Sequence, residues 1–394
     1  MNEEENSIIG KLDADDFTLR TFGCIFDIVS DETGNKYLSV TPDRNKINLY
    51  AISPSRGLCR VTHGGYIYES HLITKLISLS DEDSKEVYSF FEEYGFPVTL
   101  PRRDNLRLDL SSFWKTVERV KVTALLKIEL DSEHPRVPLV LRYMLYLILS
   151  DRVVLTVDDV PRFQTCKHSV KALLEDNNYS LSYYSDTSKP QKEGYACIPD
   201  TIFTDGYYLE EDEYNDIISG ESFMYEYPGI HDPLYKNLTL SYRNAVHESK
   251  ANRTVLDCLF HYMHEVGVIK AVRLDTGIEY YNQPKLENYT PVLKNATISA
   301  AKVVLANEIN FYIAKISPVF DPNTMTHTWK APNLISAMYF SLSYMRPGRQ
   351  IMRECANPRC HHYFVVNITN DKKIYCSAKC RNAAEQREFR KNHK

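Results

Sequence analysis

Near its C-terminus the chain carries two close cysteine pairs, Cys355-Ala-Asn-Pro-Arg-Cys360 and Cys376-Ser-Ala-Lys-Cys380, separated by fifteen residues. No other feature restricts the fold as tightly. Two short loops that each supply two thiolates satisfy the four-coordinate, borderline-soft preference of zinc. Four of the nine cysteines fall within these 26 residues, so unrelated reduced thiols are a poor explanation of the pattern. The other five, Cys24, Cys59, Cys166, Cys197 and Cys258, stand singly, mostly in apolar or strand-like stretches. An odd count of isolated cysteines argues for reduced thiols in a cytosolic compartment, which disfavours disulfides in the cluster too. The expected ligands are Cys355, Cys360, Cys376 and Cys380 around one structural zinc, a closed set that leaves no position for a catalytic water. His361 and His362 adjoin Cys360 and remain alternative ligands, although histidines so placed are more often exposed or donate to a ligand from outside the metal's own shell.

The connector Tyr363–Tyr375 contains Phe364-Val365-Val366, which suits a strand. Thr369–Lys372 suits its turn, and Ile374-Tyr375 suits the return. The expected order is therefore knuckle, hairpin, knuckle, helix. Ser377 can cap the last helix. Within that helix Arg387, Arg390, Lys391 and Lys394 stand at i, i+3, i+4 and i+7, which places four cations on one face. Ala383 and Ala384 extend the face with small side chains. From Arg353 onward there are ten basic residues against four acidic ones; of the overall charge of −5, residues 1–352 therefore carry −11. A basic tail on an acidic body suits a module that meets a polyanion. Lys379, Arg381, Asn382, Arg387, Arg390, Lys391 and Lys394 are the candidate nucleic-acid contacts. The competing reading is a solvated surface helix, which Glu385 and Glu388 favour.

This segment resembles the CGNR-type zinc finger of bacterial regulators. The matching pieces are Cys355, Cys360, Phe364, Tyr375-Cys376-Ser377 and Cys380-Arg381-Asn382-Ala383-Ala384. Asn382 keeps the family's asparagine, but the name-giving Cys-Gly-Asn-Arg is here Cys380-Arg381-Asn382-Ala383, without its glycine and final arginine. The resemblance implies a DNA-binding finger, in that family often behind a larger α/β domain that senses a ligand or stress. Val304–Asn310 and Leu334–Phe340 also resemble stretches of uncharacterised bacterial proteins that end in this finger.

The 394 residues allow two or three domains, and 43% apolar with 25% charged residues is ordinary for a soluble globular chain. Strand-rich segments at 17–29, 37–40, 46–52 and 58–68 predict a small antiparallel sheet. A helix is expected around Phe113–Ile128, capped by Asp109 or Ser111, and another from Pro138 to Leu149. A short strand at 153–157 and a helix at 162–175 follow. The apolar run at Val137–Leu149 is too short for the roughly 20 residues of a membrane helix, and Met1–Asn6 runs into acids, so no secretory signal is expected. Helices are expected at 240–266, 296–316 and 333–345. The fold expectation is α+β: an N-terminal antiparallel sheet with helices (1–175), an irregular acidic linker region (176–233), a helical domain (234–350) and a zinc-ribbon-like finger (351–394).

Other constellations point less sharply. His261, His264 and Glu265, near His247-Glu248, lack an identifiable third ligand and the His-Glu-x-x-His order; satisfied helix histidines fit them better. Asn307, Glu308 and Asn310 suggest a buried hydrogen-bonded network. Tyrosine pairs 183–184, 207–208 and 280–281 can stack on bases, yet such residues more often line cores and interfaces. Neither a glycine-rich phosphate loop nor a Gly-x-Ser-x-Gly elbow occurs. The leading expectation is a cytoplasmic bacterial nucleic-acid-binding protein, a DNA-binding transcriptional regulator whose acidic body meets a small-molecule or protein effector. The alternative is a finger that docks a protein, as in a host-defence or toxin component. An enzyme in the acidic body ranks third.

Overall fold

A computed structural model describes residues 10–11, 17–30, 32, 34–53, 57–62, 65–79, 84–175, 217, 232–243, 245, 248–321, 325–345, 350–360, 362–367 and 372–392. The chain is α+β. It divides into two units that do not follow chain order: Met1–Ser132 with Arg152–Cys166 and Ile309–Lys394, and Glu133–Asp151 with Lys167–Glu308. The boundaries expected near 175, 233 and 350 run along the chain, whereas strand pairing and core packing gather distant segments. The finger belongs to the same unit as the N-terminal sheet.

The first unit is built on strands β1 (Gly10–Lys11), β2 (Phe17–Ser30), β3 (Lys36–Ser53), β4 (Gly57–Val61), β5 (Tyr66–Glu69), β6 (Leu106–Asp109), β7 (Val154–Val157) and β8 (Val160–Gln164). β11 (Ser317–Asp321) and β12 (Thr326–Lys330) complete the sheet. Its main path runs β1-β5-β4-β3-β2-β12-β11, with β6, β7 and β8 branching from β3. The two strands expected at 37–40 and 46–52 are one long strand. β3 pairs along β2 and shares its other edge between β6 (Val40 opposite Leu106) and β4 (Leu49 opposite Val61). A bulge after Phe22 lets the β2–β3 ribbon bend there.

Alternation along these strands turns Leu38, Val40, Leu106, Leu108, Leu155 and Val157 inward. Helices α1 (Leu72–Ile77), α2 (Ser84–Tyr94), α3 (Leu110–Asp131) and α9 (Leu334–Tyr344) also belong to this unit, and their apolar residues share one core with that face. Asp109 caps α3 by accepting from the Ser112 backbone N–H at 2.6 Å, as expected. Asn333 caps α9 through the Ser336 N–H at 2.9 Å. Near the middle of the core the Tyr312 and Tyr339 rings stack with centroids 3.9 Å apart.

The helix expected from 162 to 175 begins only at Ser169, as α5 (Ser169–Glu175); residues 160–164 are β8. Asp158 and Asp159 both adopt positive φ, 47° and 64°, and Val157 pairs with Val160. That is the two-residue hairpin geometry that aspartate tolerates. In the second unit α4 (Val137–Leu149) opens with Pro138 in its first turn. The single helix expected at 240–266 is instead α6 (Pro233–Arg243), α7 (Lys250–His261) and a π-helical turn at Tyr262–Val266. Ser249 starts α7 by accepting from the Asn252 N–H at 3.2 Å. The hairpin β9 (Ile269–Arg273) and β10 (Gly277–Tyr280) follows, and then α8 (Pro291–Ile313), inside which the division between units falls. Among the described residues, no helix is long and apolar enough to cross a membrane. Tyr183, Tyr184, Tyr207 and Tyr208, with the rest of 176–216, lie outside the described residues.

Candidate metal centre

The strands β13 (Gln350–Glu354) and β14 (Tyr363–Asn367) form an antiparallel hairpin with Glu354 opposite Tyr363. The first cysteine pair sits in the loop of this hairpin. The hairpin therefore precedes and encloses the first knuckle, whereas the sequence places it between the two knuckles. The reason is the Gln350–Glu354 segment, whose apolar Ile351 and Met352 pair with Val366 and Val365. Ile374-Tyr375 is not a strand.

The loop is held by its own backbone. The Cys355 N–H donates to the His362 carbonyl at 3.0 Å and extends the ladder, and the Cys360 N–H closes a turn on the Asn357 carbonyl at 2.8 Å. Asn357 Oδ1 accepts from the Arg359 N–H at 3.2 Å, the local side-chain turn that asparagine makes before proline. The second segment is tied on by the Ala356 N–H to the Ile374 carbonyl at 2.9 Å and by the Cys376 N–H to Cys355 Sγ at 3.4 Å. Ser377 then caps α10 (Ala378–Asn392), its Oγ accepting from the Cys380 N–H at 3.3 Å.

These interactions bring the four predicted sulfurs together, all within 4.8 Å of one another. Cys376 Sγ lies 3.6 Å from Cys360 Sγ and 3.5 Å from Cys380 Sγ. No disulfide links them. Metal–sulfur bonds of about 2.3 Å at tetrahedral angles put sulfurs about 3.8 Å apart, so the cluster can hold one metal ion after small adjustments. Cys355 is buried and the other three are half-buried. The Ser377 hydroxyl, followed by the Cys360 and Cys376 thiols, draws Cys380 down to about 7. Burial first, then hydrogen bonding with the surrounding thiols, pushes Cys376 up to about 12. Burial also raises Cys360. One thiol ionises readily beside its neighbours, and the full thiolate set needs a cation to balance it. His362 is exposed and outside the sulfur cluster; His361 lies outside the described residues.

Of the candidate nucleic-acid contacts, Lys379, Arg381, Asn382, Arg390 and Lys391 are exposed on α10. Arg381 approaches Glu385 at 3.9 Å. Arg387 differs from them. It is half-buried, its guanidinium donates to Asn357 Oδ1, and its Nε donates to the Ala383 carbonyl at 2.9 Å. The expected stripe is therefore interrupted, because one of its cations is used inside the finger. Lys394 lies outside the described residues. Asn357, 6% exposed, does not stand out in the sequence as a functional residue, although an Asn-Pro step between two cysteines is a turn signal that identifies it.

The finger is anchored to its unit. Met352 joins the core, Tyr363 and Val365 pack against it, and the Tyr363 N–H donates to Ser78 Oγ at 2.8 Å. Met352 is buried, and fully burying such an apolar side chain contributes about 1.5–3 kcal/mol.

The histidines weighed from sequence have hydrogen-bonding neighbours in the second unit. His264 Nδ1 lies 2.9 Å from the Tyr235 hydroxyl, and His261 Nε2 lies 3.4 Å from Asp257 Oδ1. Asn307 meets His168 Nε2 at 3.0 Å beside a buried Glu308, whereas Asn310 is exposed. Tyr280 and Tyr281 bond to Tyr262 and Asp232; His247 lies outside the described residues. Comparison with family models, curated proteins and solved structures returns no match. Fold and site together define an α+β chain with a C-terminal four-cysteine ribbon able to hold a metal ion.

Proposed function

We propose that the four cysteines bind one zinc ion, and that zinc holds α10 as a nucleic-acid-binding helix, with duplex DNA as the leading target. Zinc suits four clustered thiolates better than a hard, oxygen-preferring cation does. The closed donor set makes it a scaffold for Asn357, the two knuckles and α10, with no role as a Lewis acid. The observation that carries the nucleic-acid reading is the exposure of α10. It starts within the second ligand pair, none of its described side chains is buried, and it presents Lys379, Arg381, Asn382, Arg390 and Lys391 to solvent. The resemblance to the CGNR-type finger supports the same reading, as does the contrast between the basic tail and the acidic body. The free thiols suit a reducing, cytoplasmic compartment. In this reading the protein is a bacterial DNA-binding regulator, and effector binding to the body biases the finger.

A second reading has its own observation. Phe389 is 62% exposed between Glu388 and Arg390, and an exposed aromatic beside cations also suits a protein partner.

The test is binding of the zinc-loaded full chain to mixed-sequence duplex DNA across a salt series. The expected result is a linear fall of log affinity with log salt. R381E/R390E/K391E should flatten that slope by about one for each side chain that pairs with a phosphate in the parent. Binding that ignores both salt and the triple charge reversal overturns the proposal.

A further inference from the structure

In the first unit, distant in sequence from the four-cysteine cluster, a cavity of about 520 Å³ opens between β2, the Pro42–Arg44 part of β3, the 96–102 loop and the start of α9. This lies within the roughly 300–1,000 Å³ typical of small-molecule pockets. Its deep wall is apolar: Leu19, Phe96, Val98 and Leu334 are all buried. Cys24 belongs to that wall as a neutral thiol, since burial pushes it up to about 12.

The polar groups of the lining are nearly all committed to the protein. Thr21 Oγ1 donates to the Tyr94 carbonyl at 2.9 Å, and Thr99 Oγ1 to the Pro332 carbonyl at 2.7 Å. Asn333 Oδ1 is used in capping α9, and the Ile335 N–H donates to the Pro97 carbonyl at 3.1 Å. Arg44 donates to the Arg102 carbonyl at 3.0 Å and lies 3.6 Å from Asp104. Two guanidiniums remain. Arg20 and Arg102 are exposed at the rim, and neither has a carboxylate partner among the described residues. Arg20 lies over the Phe22 ring at 5.6 Å, and no group among the described residues accepts from its guanidinium.

We propose that this cavity binds an amphipathic organic anion: an apolar chain or ring held by the deep wall, with one carboxylate or phosphate held by Arg20 and Arg102. Two guanidiniums without a carboxylate partner among the described residues, at the mouth of an apolar recess, match that ligand, because planar forks pair with carboxylate and phosphate oxygens. The walls offer no comparable set of donors for a sugar or a polar peptide. The site does not depend on the nucleic-acid reading of the finger.

Calorimetric titration of the full metal-loaded chain with dodecanoate and with dodecyl phosphate tests the proposal, with dodecanol and acetate as controls. At least one amphipathic anion should bind, with dodecanol and acetate each at least about tenfold weaker. R20E/R102E should weaken binding about tenfold or more, as expected when charge-assisted hydrogen bonds are removed, without a fall in melting temperature. Leu100→Trp, at the half-buried lip, should block entry independently of charge. The proposal is overturned if neither anion binds, if dodecanol binds as well as the anions, or if R20E/R102E binds like the parent.

Discussion

Arg387 reaches from the middle of α10 to the side-chain carbonyl of Asn357, in the loop that carries Cys355 and Cys360. The same Asn357 accepts from Arg359 and closes the turn at Cys360. One amide thus links the first knuckle to the helix that grows from the second. Arg387 acts as a strut, although its spacing in the sequence marks it as one of four equivalent cations.

Arg387→Ala should therefore weaken metal retention, by about tenfold if this hydrogen bond acts as outer-shell partners of metal ligands do. Arg390→Ala should leave retention unchanged. Competition with a chromophoric chelator on the full chain reads both. Equal effects of the two substitutions would remove Arg387 from this role.

Gly95 ends α2 at φ +96°, its N–H on the Phe91 carbonyl at 2.9 Å. A Cβ there would meet Thr21 Cβ at 2.7 Å and the Phe22 carbonyl at 2.8 Å. Gly95→Ala combines backbone strain with overlap, and should cost more than about 1 kcal/mol in denaturant unfolding. An unchanged midpoint would show that this corner yields.

Tyr339 is buried with its hydroxyl 3.1 Å from Thr123 Oγ1 and its ring stacked on Tyr312. Tyr339→Phe keeps the stack and should cost about 1 kcal/mol. Tyr339→Ala also leaves a cavity and should cost about 3–5 kcal/mol. Urea unfolding distinguishes the two, and equal losses would place the energy in the hydroxyl.

Glu93 is pushed upward by partial burial, but hydrogen bonds from Lys46 and Arg60 outweigh this and hold it below the usual carboxylate range. A carboxyl depressed on folding contributes its full stability above its unfolded pKa of about 4.3, and loses it as pH falls through the folded value. The stability difference between the parent and Glu93→Gln should therefore be constant from neutral pH to about 5, and shrink below that. A difference that grows on acidification would reverse the assignment.

Much of this is legible in the sequence where the signal is local. The four sulfurs come together because their spacing is a loop geometry. Asp109 and Pro138 act within one helical turn, so α3 and α4 begin close to where the residues indicate. Long-range pairing is not legible. Nothing in Thr326–Lys330 announces that Trp329 will pair in parallel with Phe17, or that Met352 will complete a core begun at Leu19. The sequence suggests a separate terminal domain for the finger because its ligands are contiguous, whereas its hairpin is anchored by bonds such as that from Tyr363 to Ser78. Helical spacing equally cannot show that Arg387 turns toward Asn357 while Arg390 stays in solvent. The cavity rim joins Arg20, Arg44 and Arg102 across three segments, and only the folded chain reveals it.

The proposed zinc site at the four cysteines underlies the reading of the finger, and X-ray absorption at the zinc edge on the purified full chain tests it most directly. The prediction is one zinc per chain with four sulfur neighbours at about 2.3 Å, and loss of that zinc in Cys360→Ser/Cys376→Ser. A first shell containing nitrogen or oxygen, or a folded chain that retains no zinc, would contradict it.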